Sequence, residues 1–154
     1  MSSFDFEGRI TDIVDYPKPG VVFKDITTLL KDPDGFEATI DAIAEHFKDA
    51  GVTKVVGAEA RGFMIGAPVA YRLHAGFVPA RKPGKLPREV RSESYDLEYL
   101  VATGGTAEAQ AKLIKQFGAS LAGMGFLMEL AFLNPRQAIA KVTDAEVFSL
   151  VQVH

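Results

Sequence analysis

"VTKVVGAEARGFMIGAPVAYRLHAGFVPA", residues 52–80, changes character twice along its length. "VTKVVGAEA" reads as a short buried strand running into a loop. "GFMIGAPVAYRLHAG" reads as a helix ending near Gly76, with Pro68 tolerated in its first turns. "GFVPA" is a second short strand. Strands alternating with helices imply an α/β domain around a mostly parallel central sheet flanked by helices. In such sheets ligands bind beyond the carboxyl ends of the strands, in the loops that follow.

The flanking sequence extends the pattern. Phe6, Ile10, Ile13 and Val14 are spaced like one face of a helix over Phe4 to Val14, and Pro17, Pro19 and Gly20 in "DYPKPGVVF" then force a turn. "DPDGFEATIDAIAEHFKDAG" is the clearest helix, with Phe36, Ile40, Ile43, Ala44 and Phe47 on one stripe and Gly51 as its stop. "TAEAQAKLIKQFGA" predicts a helix with Ala109, Leu113, Ile114 and Phe117 on one side. "LAGMGFLMELAFL" suits a buried strand. "NPRQAIAKV" suits a short helix with Asn134 as cap and Pro135 in its first turn, and "EVFSLVQV" suits a last strand.

The 154 residues, 47% hydrophobic and 24% charged, imply one folded domain spanning 1–154. The start "MSSFDFEGRI" lacks a secretory pattern, and no apolar run is long enough to span a bilayer, so the expectation is a soluble, cytoplasmic protein without membrane contact. The absence of cysteine excludes disulfides and thiolate metal sites, and three scattered histidines (His46, His74, His154) argue against a histidine metal cluster. No serine sits in a nucleophile-elbow motif. A net charge of −3 argues against general nucleic-acid binding. Against that acidic background, "RKPGKLPREVR" gathers Arg81, Lys82, Lys85, Arg88 and Arg91 around one acid, Glu89, which suggests a small polyanionic ligand.

Three loops could carry chemistry. "ATGGT", residues 102–106, opens a helix; its adjacent glycines allow inward-pointing N–H groups, Thr103 and Thr106 add hydroxyls, and the helix dipole adds positive potential. That suits a phosphate monoester, and the plain alternative is a loop with a threonine cap. "GAEARGF", residues 57–63, has Walker-type glycine spacing but Phe63 and Met64 where a P-loop needs Lys and Ser/Thr. It could hold an anion through backbone N–H groups and Arg61, or simply carry Glu59 and Arg61 as a solvated pair. The long segment from about 81 to 99 is kept from helix by Pro83, Gly84 and Pro87, and is either a lid over a diphosphate or a flexible basic loop. On it, Glu98 is a candidate acid/base if closure desolvates it.

Taken in order, "DYPKPGVVFKDIT", "VVGAEARGF", "RKPGKLPRE", "SYDLEY" and "ATGGT" resemble the adenine phosphoribosyltransferase family from about Ile13 to the C-terminus. The resemblance implies a type I phosphoribosyltransferase fold and transfer of the ribosyl phosphate of phosphoribosyl diphosphate to N9 of adenine, giving AMP and pyrophosphate in purine salvage. It implies that Ala102, Thr103, Gly104, Gly105 and Thr106 hold the 5′-phosphate, and that Glu59, Ala60, Arg61, Arg81, Lys82 and Lys85 meet the diphosphate. Val22, Phe23 and Lys24 would form the adenine pocket, Phe23 by stacking. Glu98 and Tyr99 would act near N7 and N9. Mg²⁺ would be bound mainly through phosphoribosyl diphosphate, with no metal site of the protein's own, and a homodimer is implied. A non-catalytic nucleotide or phosphoribosyl diphosphate binding protein on the same fold is the competing expectation.

The sequence departs from the family at one place. There, a buried strand ending in two adjacent acids precedes "LATGGT"; here Tyr99 is followed directly by "LVATGGT", a shortfall of roughly two dozen residues, enough for a hairpin return and one core strand. The acidic pair therefore maps to no position. Residues of the protein absent from this chain, a true deletion form, and recruitment of "SYDLEYLV" as the strand would each account for it. The first is the expected one, and a Tyr99–Leu100 Cα separation of about 3.8 Å would refute it.

Overall fold

The computed structural model describes residues 4–82, 84–87, 91 and 104–154. The chain opens with a 3₁₀ turn, Glu7–Arg9, and a hairpin of β1 (Thr11–Val14) and β2 (Val22–Asp25), paired antiparallel with Ile13 opposite Phe23. The helix expected over Phe4 to Val14 is thus replaced by a turn and a strand. Thr11, Ile13 and Val14 are β-branched, and the turn through Pro17 and Gly20 returns the chain alongside them, so ladder pairing wins over a short helical stripe.

A single turn, α1 (Thr27–Leu30), which the sequence pattern did not suggest, leads to α2 (Pro33–Phe47). On α2 the expected stripe is realised: Ile40, Ile43, Ala44 and Phe47 are buried, and Phe36 packs beside them. Next come β3 (Lys54–Ala58), α3 (Arg61–Arg72) and β4 (Gly76–Ala80), the crossover unit read from residues 52–80. The helix stops at Arg72, earlier than expected, and Pro68 lies inside it. β3 and β4 are parallel, with Ala58 opposite Ala80 at their carboxyl ends.

The chain continues through α4 (Gly105–Gln116), β5 (Gly123–Leu130), a 3₁₀ turn at Ala131–Leu133, α5 (Pro135–Ala140) and β6 (Glu146–Val153). Asn134 occupies the cap position of α5, but its side chain makes no capping bond. On α4 the buried residues are Ala107, Ala109 and Ala111, while Phe117 is 68% exposed. The stripe expected from the larger residues is thus shifted: small side chains let α4 lie close to Met124 and Ile139, and Phe117 falls beyond the last turn.

Among the described residues the parallel strands form two separate pairs, β3–β4 and β5–β6, rather than one central sheet. The same helices serve both pairs. Val55 of β3 packs on the cluster of Ile40, Ile43 and Phe47, while Gly123 and Gly125 of β5 lie directly under Phe47. On the opposite side of β5, Met124 packs with Ala107 of α4, and α4 also touches β3. β3 and β5 therefore lie in one layer between α2 and α4, without a ladder joining them.

Candidate active site

The β3-to-α3 turn is built on two glycines. A Cβ on Gly57 would stand 2.4 Å from the Gly62 carbonyl oxygen, and one on Gly62 would stand 3.0 Å from the Gly57 carbonyl carbon. Only bare backbone allows the strand end and helix start to approach so closely. The intervening loop, which includes a cis Glu59–Ala60 peptide, therefore leaves the sheet at its carboxyl end.

The parallel register brings a second loop beside it. The Glu59 N–H donates to the Ala80 carbonyl at 3.0 Å, so Glu59 and Arg81 leave adjacent strands side by side. Arg81 donates through Nε and a terminal nitrogen to the Glu59 carboxylate, both at 3.3 Å, and the Lys82 N–H donates to it at 3.2 Å. These bonds hold the Glu59 carboxyl below the usual carboxylate range, with the Arg81 hydrogen bonds as the main cause. Glu59 is therefore ionised at neutral pH and orients Arg81. The alternative of a Glu59–Arg61 surface pair is corrected: Glu59 pairs with Arg81.

Arg61 turns instead toward the hairpin. Its guanidinium carbon lies 5.8 Å from the centre of the Phe23 ring, and Tyr16 meets the same ring edge-on at 5.3 Å. Asp25 is held below its ordinary value chiefly by hydrogen bonding from Thr27, with Arg61 a smaller contributor. Val22 is exposed beside Phe23, and the Lys24 ammonium is tied across the hairpin to Asp12 at 2.7 Å. Lys85 closes a local turn through its N–H to the Lys82 carbonyl.

Gly104 caps α4 with φ 84°, a left-handed conformation that suits glycine, and its carbonyl accepts the Glu108 N–H at 2.8 Å. Gly105 and Thr106 form the first turn of α4, with their N–H groups at its positive end. Ala102, Thr103, Glu98 and Tyr99 lie outside the described residues, as do most of the expected lid and the Tyr99–Leu100 junction.

The fold thus gathers Glu59, Ala60, Arg61, Arg81 and Lys82 at one end of β3–β4 and brings Arg61 to Phe23. Gly104 to Thr106 start the next helix, α4, which touches β3. Sequence reasoning passed over a third polar group. Glu129 on β5 accepts three hydrogen bonds from Arg136, the shortest at 2.8 Å, and one from Ser149 at 2.7 Å. The signal was present: a lone carboxylate in the apolar run "GMGFLMEL" needs a buried partner, and an arginine follows seven residues later.

Among the described residues, no group of three or more His, Asp or Glu side chains is arranged to hold a metal ion, and no helix is long and apolar enough to cross a membrane. The chain matches no protein-family model. It is 47% identical to the adenine phosphoribosyltransferase of Desulfitobacterium hafniense (strain Y51), over 99% of each chain. That alignment runs to 175 positions against a chain of 154, so at least 21 positions of the relative have no counterpart. Among solved structures, it is similar to the adenine phosphoribosyltransferase of Thermoanaerobacter pseudethanolicus, with 39% identity, a TM-score of 0.86 and coverage of 96% and 97% of the two chains. It is also similar to the APRTase of Giardia lamblia complexed with 9-deazaadenine, with 32% identity, a TM-score of 0.87 and coverage of 96% and 95%.

Proposed function

The chain belongs to the adenine phosphoribosyltransferase family, and from that premise we propose that it transfers the ribosyl 5′-phosphate of phosphoribosyl diphosphate to adenine, forming AMP and pyrophosphate as a step of purine salvage. The observation that carries this reading is the contact of Arg61 with Phe23, because it links an anion-binding arm to an aromatic platform at one sheet end. N9 of adenine attacks C1′ of the ribose, the bond from C1′ to the diphosphate oxygen breaks with its electrons, and the N9 proton passes to a base.

Each group has a part in that reaction. Phe23 offers a stacking face for the base, with the backbone of Val22 and Lys24 reading its edge. The N–H groups of Gly104, Gly105 and Thr106, with Ala102 and Thr103, hold the 5′-phosphate at the start of α4. Arg61, Arg81, Lys82 and Lys85, with the loop backbone at Glu59 and Ala60, stabilise charge on the departing diphosphate. Since Glu59 neutralises Arg81, the net positive charge there comes from Arg61, Lys82 and Lys85. Glu98 and Tyr99, on a lid over about 81–99 of a single domain spanning 1–154, act near N7 and N9, and closure keeps water from the oxocarbenium-like ribose. Mg²⁺, bound mainly through phosphoribosyl diphosphate, would supply charge neutralisation on the departing diphosphate beside Arg61, Lys82 and Lys85. We place the enzyme in the cytoplasm as a homodimer.

A second reading, a phosphoribosyl diphosphate or nucleotide binding protein without turnover, is favoured by two observations: at least 21 unmatched positions of the relative, and no adjacent acidic pair before "ATGGT". Incubation with adenine, phosphoribosyl diphosphate and Mg²⁺ separates the two. AMP and pyrophosphate are expected in equal amounts; AMP binding without product formation would establish the second reading instead.

A further inference from the structure

Glu129 is the sole acid in β5 and is 7% exposed. A carboxylate so placed requires several donors, and Arg136 and Ser149 supply them. Arg136 also donates through its other terminal nitrogen to the Val147 carbonyl at 2.9 Å. One side chain thus fastens the first turn of α5 to both β5 and β6.

That turn needs fastening. α5 has six residues, and its cap residue makes no side-chain bond; helices shorter than about 12 residues are marginal without tertiary support. Yet Gly104 rests on it. A Cβ at Gly104 would lie 2.7 Å from the Pro135 carbonyl oxygen and 3.3 Å from the Ala138 Cβ. The left-handed turn that starts α4 is therefore seated on the residue next to Arg136.

We propose that Arg136, locked by Glu129 and the Val147 carbonyl, with Ser149 holding the Glu129 carboxylate, is a positioning residue for the phosphate loop: it holds the surface against which Gly104 sets the amides of Gly105 and Thr106. The proposal rests on the phosphate-loop assignment above. It predicts a selective defect, because Phe23 and Arg61 lie on other elements.

The test uses the whole chain, with ribose 5-phosphate and adenine titrated separately by calorimetry and amide exchange followed at Glu108 to Gln110, whose N–H groups close the first turn of α4. For Arg136→Gln, ribose 5-phosphate should bind roughly tenfold more weakly, the size of one lost hydrogen bond to a charged group, while adenine changes less than about twofold. Exchange at Glu108 to Gln110 should accelerate while α2 is unaltered, and Arg136→Lys should recover part of both. Equal weakening of both ligands, or unchanged exchange at α4, would overturn the proposal. If the unaltered chain binds no ribose 5-phosphate, the phosphate-loop assignment itself fails, whereas the exchange comparison still decides whether Arg136 holds the α4 turn. Should Arg136→Gln not fold, Ser149→Ala, which removes one donor from Glu129, gives the same readout with a smaller change, and no change in exchange refutes the coupling.

Discussion

Glu129 is the residue where burial and charge are most sharply opposed. Its carboxyl is held below its ordinary value of 4.5 chiefly by the Arg136 hydrogen bonds, which outweigh desolvation. A group whose folded pKa is depressed contributes stability above its unfolded pKa and loses that contribution as pH falls through the folded value. Replacing Glu129 by Gln should therefore lower stability by about 1–3 kcal/mol at pH 7, where a charged hydrogen bond is lost. The difference from the unaltered chain should shrink as the pH falls from neutral through the ordinary carboxylate value of 4.5 and then through the depressed folded one. Urea unfolding midpoints at the two ends of that fall check it, and a difference independent of pH would remove the ionised carboxylate from the account. Glu59 has the same direction of shift, but it lies on the surface, where solvent screens its pairing with Arg81.

At the scale of elements, the gap between β3 and β5 is the feature that matters most. Both strands lie between α2 and α4, and among the described residues each has a ladder on one side only. Among the described residues, those edges lie within a helix-covered layer with no ladder between them, the kind of edge that proteins normally pair or cover. The relative from Desulfitobacterium hafniense has at least 21 positions more, close to the shortfall that precedes "ATGGT". Inserting its intervening segment between Tyr99 and Leu100 should raise stability by about 2–5 kcal/mol through burial of several apolar side chains. The family resemblance implies that the acidic pair lies on that segment, so the rate of AMP formation should rise with it. An extended chain no more stable or active than the original would show that the unmatched positions belong elsewhere.

The elements also show what local sequence can and cannot specify. α2, α3 and the strands β3 to β6 follow from local period and from Gly and Pro punctuation. The hairpin strand β1 does not, because Phe6, Ile10, Ile13 and Val14 fit a helical spacing while the pairing that selects a strand comes from residues about ten positions later. Size alone would turn Phe117 inward, yet it is exposed, and close helix packing selects alanines instead. Of the site, the loop glycines and basic residues are legible as residue types. The Glu59–Arg81 pairing and the Arg61–Phe23 contact are not, because they depend on strand register and on the fold of the hairpin.

At the scale of the whole molecule, the outer face of α3 remains to be explained. Met64 is 46% exposed and Tyr71 is 84% exposed. Seven residues apart, they lie on one helix face, with exposed Ala67 between them. Large apolar side chains presented together on a regular helix, on a chain otherwise of net charge −3, fit a surface covered by a second copy. The homodimer proposed above would place this face in the interface, where an aromatic anchor commonly carries much of the binding energy. Sedimentation equilibrium should then give twice the 16.6 kDa chain mass. Tyr71→Asp should weaken association by about tenfold or more, since the new carboxylate would be desolvated without a partner. A monomeric mass for the unaltered chain at micromolar concentration would refute the dimer, and a dimer indifferent to Tyr71→Asp would move the interface to another face.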